Sequence, residues 1–113
     1  MRNIDNEKYN IDKYTYRIEW SEADNAHIGR CLEFPSLAVH AESAGMALKE
    51  INYLVEETIK LMSEEMEPVP VSFGLKKFKG NLTLRISSEM HRSLAIRSAE
   101  EGVSINQYIV SKL

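Results

Sequence analysis

The sequence predicts an α+β protein: a three-stranded antiparallel sheet packed on one long helix, followed by a strand-helix-helix dimerisation module. Three observations predict it. Apolar residues alternate with polar ones early in the chain, recur at three- and four-residue spacing through its middle, and repeat that switch of period near its end. A chain of 113 residues suits one ordinary domain or two very small ones, since domains usually run to roughly 100–200 residues.

Residues 1–12 show no periodicity and read as a loose arm. Beyond them Tyr14, Tyr16, Ile18 and Trp20 are apolar, with Thr15, Arg17 and Glu19 between. That period of two reads as a strand with one buried face, and it makes Trp20 a core anchor. Residues 21–26 are turn-like and too short for a crossover helix, so a hairpin follows. Ile28, Leu32 and Phe34 mark the second strand. Pro35 and Ser36 break it, and residues 37–41 make a short third one.

Ser43 stands where a helix N-cap belongs. Behind it Ala47, Leu48, Ile51, Leu54, Val55, Ile59, Met62 and Met66 form a helical stripe that runs to about Met66. Pro68 and Pro70 stop it, because proline supplies no amide proton and restricts its predecessor. Residues 71–80, with two glycines and three lysines, read as a linker with room for a short strand. The expected division is a body over residues 1–70, that linker, and a tail over residues 81–113.

Charge divides the chain in the same place. Residues 1–70 carry 14 acids and 7 bases, a balance of −7, whereas residues 71–113 carry 3 acids and 7 bases, a balance of +4. An acidic body and a basic tail suit different partners. No apolar run approaches the roughly 18 residues of a membrane span. The polar, mixed-charge start is unlike a signal peptide, and a single cysteine, Cys31, cannot form an internal disulfide. Both point to the cytoplasm.

In the tail, Leu82, Leu84 and Ile86 alternate with Asn81, Thr83 and Arg85. Ser87 or Ser88 then caps a helix with Glu89 in its first turn and Met90, Leu94, Ala95 and Ala99 along one side. Gly102 stands at the expected C-terminal position. Ser104 caps a second helix running to about Leu113, with Ile105, Tyr108, Ile109 and Leu113 inward. One strand and two short helices, roughly 35 residues, fall below the size at which an isolated core suffices. A lone strand also leaves its backbone groups unpaired. Two copies that pair their strands and interlock their helices remove both deficits. The dimer core is expected at Leu82, Leu84, Ile86, Leu94, Ile105 and Ile109.

This arrangement resembles the ribbon-helix-helix family, whose paired strands enter the major groove of DNA. The resemblance implies that Asn81, Thr83 and Arg85 touch base edges. Arginine can chelate the two acceptors of guanine, asparagine matches adenine, and threonine adapts to either. It also implies a phosphate clamp at Ser104, Ile105 and Asn106, where a helix N-terminus offers free amides.

Over residues 14–113 the chain is similar to the HicB family of antitoxins. The similarity is carried by residues 16–20 before a turn, by Glu33-Phe34-Pro35-Ser36-Leu37, by Ala47-Leu48 opening the long helix, and by His91 and residues 104–108 in the tail. It implies a body resembling a truncated RNase H fold without catalysis, which binds and masks a small basic mRNA-cleaving toxin of the HicA kind. It implies a tail that represses the operon by binding operator DNA, as a homodimer that could associate into a tetramer. The rival is a solitary repressor without a toxin partner.

An RNase H-like nuclease needs several acids converging on divalent metal. Glu19, Glu33 and Glu50 are the candidates, with Glu19 and Glu33 in the first two strands, and the strands carry no aspartate. The sequence is therefore read as non-enzymatic. His27, His40, His91 and Cys31 lie one to an element without ligand spacing, so no metal or cofactor is expected.

Overall fold

A computed structural model describes residues 8–113, so the first part of the expected N-terminal arm lies outside the described residues. The chain divides into two compact units, Met1–Phe78 and Lys79–Leu113.

The first unit opens on a single 3-10 turn, Ile11–Lys13, capped by Asn10, whose side chain accepts the Asp12 amide. This turn is part of the body rather than loose arm: the Tyr16 hydroxyl donates to the Ile11 carbonyl at 2.8 Å. Three antiparallel strands follow, β1 (Tyr16–Ser21), β2 (Ala26–Cys31) and β3 (Phe34–Ala41), in the order β1-β2-β3. The long helix α1 (Ala44–Glu64) comes next. The molecule is thus the α+β arrangement that the two periodicities predict.

Ladder register explains how α1 sits on the sheet. Ile18, Gly29 and Val39 face one another across the three strands. A Cβ built on Gly29 would lie 2.8 Å from the Ala47 carbonyl oxygen, so this row points at α1 and the helix approaches to backbone contact. Tyr14, Cys31, Phe34, Ile51 and Val55 form the buried cluster between the layers. The buried stripe of α1 is Ala47, Ile51 and Val55, narrower than the sequence pattern, and Leu48 is exposed.

Two boundaries differ from expectation. The turn between β2 and β3 falls at residues 32 and 33, and Phe34 and Pro35 belong to β3 rather than ending β2. Proline is tolerated there because β3 is an edge strand and the register slips beside it. Arg30 pairs with Ala38 but Cys31 with Phe34, and an irregularity can carry a residue without an amide proton. Helix α1 ends at Glu64, two residues early. Met66 adopts a left-handed φ of 58°. Its amide and that of Glu67 donate back to Ser63 and Met62, a Schellman closure that turns the chain before either proline.

Residues 71–78 fall in the first unit and contain no strand. The segment is held at its start: the Tyr14 hydroxyl donates to the Pro70 carbonyl at 2.6 Å, the Phe73 amide donates to Glu33 at 2.8 Å, and Ser72 between them is fully buried. Among the described residues no helix is long and apolar enough to cross a membrane.

Candidate nucleic-acid interface

The second unit contains helix α2 (Ser88–Glu101) and helix α3 (Ile105–Ser111). Ser87, rather than Ser88, caps α2 by accepting the Met90 amide at 3.1 Å. Gly102 terminates it with φ 71°, a conformation glycine adopts without a Cβ clash. Helix α3 stops short of Leu113, which is exposed. The expected apolar stripe of α2 is not buried either. Met90, Ala95 and Ala99 are exposed, Leu94 is half-buried, and the buried residues of the two helices are Ser98 and Tyr108.

Residues 81–87 form no β-ladder, where a strand is expected. The physical reason is that a strand exists only against a partner, and nothing in this unit offers its backbone one. Leu82 is 87% exposed, Leu84 59% and Ile86 40%. These three, with Leu94, Ile105 and Ile109, line one open groove of the unit. Asn81, His91 and Asn106 also border it, whereas Thr83 and Arg85 lie outside it and are exposed. The apolar residues proposed for a dimer core are therefore gathered on one surface. Two of the three residues proposed to read bases are off it, and Asn81 is on its rim.

At the start of α3 the Ser104 hydroxyl accepts the Gln107 amide at 3.0 Å, and the Gln107 side chain accepts the Ser104 amide at 3.0 Å. This capping box occupies the Ser104 backbone N–H and one lone pair of its hydroxyl. What remains for an anion is the hydroxyl proton and the amides of Ile105 and Asn106, which open the helix and have no intrahelical acceptor.

The polar centre of the first unit is Glu33, in the β2–β3 turn rather than in β2 and only 7% exposed. Its carboxylate accepts the Thr15 amide at 3.0 Å, the Thr15 hydroxyl at 3.0 Å and the Phe73 amide at 2.8 Å. Burial alone would raise its pKa, but the amide protons of Phe73 and Thr15 hold it below the ordinary 4.5. Nearby, burial pushes the Cys31 thiol up to about 11 and the Tyr14 hydroxyl up to about 12. No sequence pattern marks this network, because a glutamate in a turn ordinarily faces water.

Glu33 is thus committed to structure, and Glu19 and Glu50 are exposed. Among the described residues no three His, Cys, Asp or Glu side chains gather as a metal site would require. Trp20 is not a core anchor. It is 47% exposed, its indole N–H donates to Glu22 at 2.6 Å, and its ring meets His27 edge-on at 5.1 Å. It stands at the hairpin end of β1, opposite a histidine, where the apolar row runs out.

Neither a curated protein nor a solved structure matches the chain. The model of the HicB family matches residues 75–113, so over that stretch the chain is similar to the HicB family.

Proposed function

We propose that the chain is the antitoxin of a type II toxin–antitoxin pair, whose body neutralises a HicA-like mRNA-cleaving toxin and whose tail represses the operon. The observation that carries this reading is the tail groove. Leu82, Leu84, Ile86, Leu94, Ile105 and Ile109 line it together, beside a seven-residue segment with no ladder partner. A second copy supplies what both lack: strand pairing for the backbone and apolar surface for the groove.

In that homodimer the two segments make a ribbon-helix-helix module over residues 81–113. Thr83 and Arg85, on the side away from the groove, meet base edges with Asn81 at the ribbon's end. The hydroxyl of Ser104 and the amides of Ile105 and Asn106 hold the flanking phosphates. The body, residues 1–70, carries the −7 balance that suits a basic toxin, and it acts by stoichiometric occlusion. Two bodies tethered to each dimeric tail can associate further into a tetramer. No step of this mechanism uses a cofactor.

The test is to co-express the full chain with the short basic reading frame beside it. Co-purification of the two, and retention of upstream operator DNA in a mobility-shift assay, are expected. Deleting residues 81–113 should abolish the DNA shift and spare toxin binding. A deletion mutant that still binds operator overturns the division of labour. A full chain that binds operator but captures no neighbour is the solitary repressor.

A further inference from the structure

Arg17 and Arg30 stand directly opposite each other in the β1–β2 ladder, with Ala38 next to Arg30 on β3. The neighbouring row, Ile18–Gly29–Val39, points at α1, since a Cβ on Gly29 would meet Ala47. Successive strand residues alternate faces, so the arginine row is on the side of the sheet away from α1. Arg17, Glu19, Arg30, Ala38 and His40 are all exposed. That face is open.

Like charges directly opposite across a ladder destabilise it. Among the described residues the ion pairs are His40 with Asp24 at 3.3 Å and Lys60 with Glu57 at 3.4 Å, and neither involves Arg17 or Arg30. Glu19, two residues along β1 from Arg17, pairs with neither. Among the described residues, therefore, two exposed guanidinium groups stand side by side without an ion-pair partner.

We propose that Arg17 and Arg30 together bind one carboxylate, and that this carboxylate belongs to an aspartate or glutamate of the toxin. The proposal rests on the antitoxin reading above. Each guanidinium is a rigid fork matched to a carboxylate, and two in register hold it from both sides. A nucleic-acid backbone is the poorer occupant, because a surrounding balance of −7 over residues 1–70 repels an extended polyanion. One acidic side chain avoids that repulsion. The pair also has a use that the acidic surroundings cannot supply. A basic partner is attracted to an acidic body in many orientations, whereas a single contact of the opposite sign fixes one of them and rejects basic proteins that lack the matching acid.

The experiment measures toxin binding by calorimetry with the full chain and with Arg17→Gln, Arg30→Gln and Lys49→Gln. Each arginine variant should weaken binding by at least about tenfold, chiefly through faster dissociation, while Lys49→Gln binds as wild type. Arg30→Lys should not restore affinity, because an ammonium lacks the fork. Arginine variants that bind the toxin as wild type overturn the proposal. So does a change in the chain's own oligomeric state with toxin binding intact, since the occupant is then a second copy. If the wild-type chain binds no toxin, the antitoxin reading fails by itself, and the free chain then decides on the site. Relief of the like-charge pair should raise the melting temperature of Arg30→Gln by about 1–4 °C. Citrate at fixed ionic strength should stabilise wild type more than either variant. Equal melting and an equal citrate response overturn the site itself.

Discussion

The carboxylate of Glu33 accepts the amide proton of Phe73 at 2.8 Å, tying the β2–β3 turn to a segment 40 residues further along the chain. The same carboxylate holds Thr15 at the entrance to β1. One buried side chain therefore joins the start of the sheet, its second turn and the chain that follows α1. The Tyr14 hydroxyl, on the Pro70 carbonyl, reinforces the same closure. Proline can accept there but not donate, so the tyrosine must be the donor.

Glu33→Gln should destabilise the body by about 1–3 kcal/mol at pH 7, because the amide NH2 would face the donors at Thr15 and Phe73 and leave one unsatisfied. The pH dependence follows from the lowered pKa of Glu33. A carboxyl whose folded pKa is depressed contributes stability above its unfolded pKa, here about 4.5, and loses it as pH falls through the lower, folded value. The gap between wild type and variant in urea midpoints should therefore be full at pH 7 and close on acidification below about pH 4. A gap that is constant from neutral to acid pH would show that the charge is not what matters.

Gly29→Ala and Gly45→Ala should move stability in opposite directions. A Cβ at Gly29 lies 2.8 Å from the Ala47 carbonyl oxygen and 3.0 Å from Val39 Cγ2. The first of these is helix backbone, so α1 must lift from the sheet, at a cost of about 1–3 kcal/mol. A Cβ at Gly45 meets nothing within 4 Å, and alanine there gains up to about 1 kcal/mol of helix propensity. Urea midpoints of the two variants decide it; a neutral Gly29→Ala would mean that α1 does not pack at backbone contact.

The elements that were legible in the sequence are those whose cause is local. Alternation gave β1, spacing gave α1, and the caps at Ser43, Ser87, Ser104 and Gly102 follow from side chains or φ values that act within a few residues. What was hidden depends on distant chain. The placement of Phe34 and Pro35 in β3 follows from a register slip between β2 and β3, Arg30 pairing with Ala38 but Cys31 with Phe34, which is a property of the pairing and not of the residues around Pro35. The burial of Glu33 requires Phe73, and the exposure of Trp20 depends on which residue stands across the ladder from it. In the tail, the alternation of residues 81–87 was readable, but a single copy leaves the segment unpaired. Period describes what a strand needs and not whether its partner is present.

Leu84→Asp should abolish self-association and leave the single copy folded. Leu84 is 59% exposed and lines the tail groove, so an aspartate there meets water in one copy and an apolar surface in two. Burying that charge without a counter-ion opposes assembly by several kcal/mol. Sedimentation velocity should give a monomer, with circular dichroism retaining the helices. A variant that still sediments as a dimer places the association surface elsewhere.

Arg85→Ala should weaken specific operator binding by about 1–3 kcal/mol and relax discrimination at one base pair per half-site. Arg85 is exposed and lies outside the tail groove, so its loss should leave the proposed dimer intact. Base reading and phosphate binding are separable by salt. Removal of a base contact lowers affinity for the operator but not for unrelated DNA, whereas removal of a phosphate contact lowers both and flattens the salt dependence by about one charge. Ser104→Gly, which removes the hydroxyl beside the two free amides of α3 and costs the cap only a few tenths of a kcal/mol, provides the comparison and should lower both alike. An Arg85→Ala variant that loses affinity equally for operator and unrelated DNA would assign this arginine to the backbone, and base reading would then rest on Asn81 and Thr83.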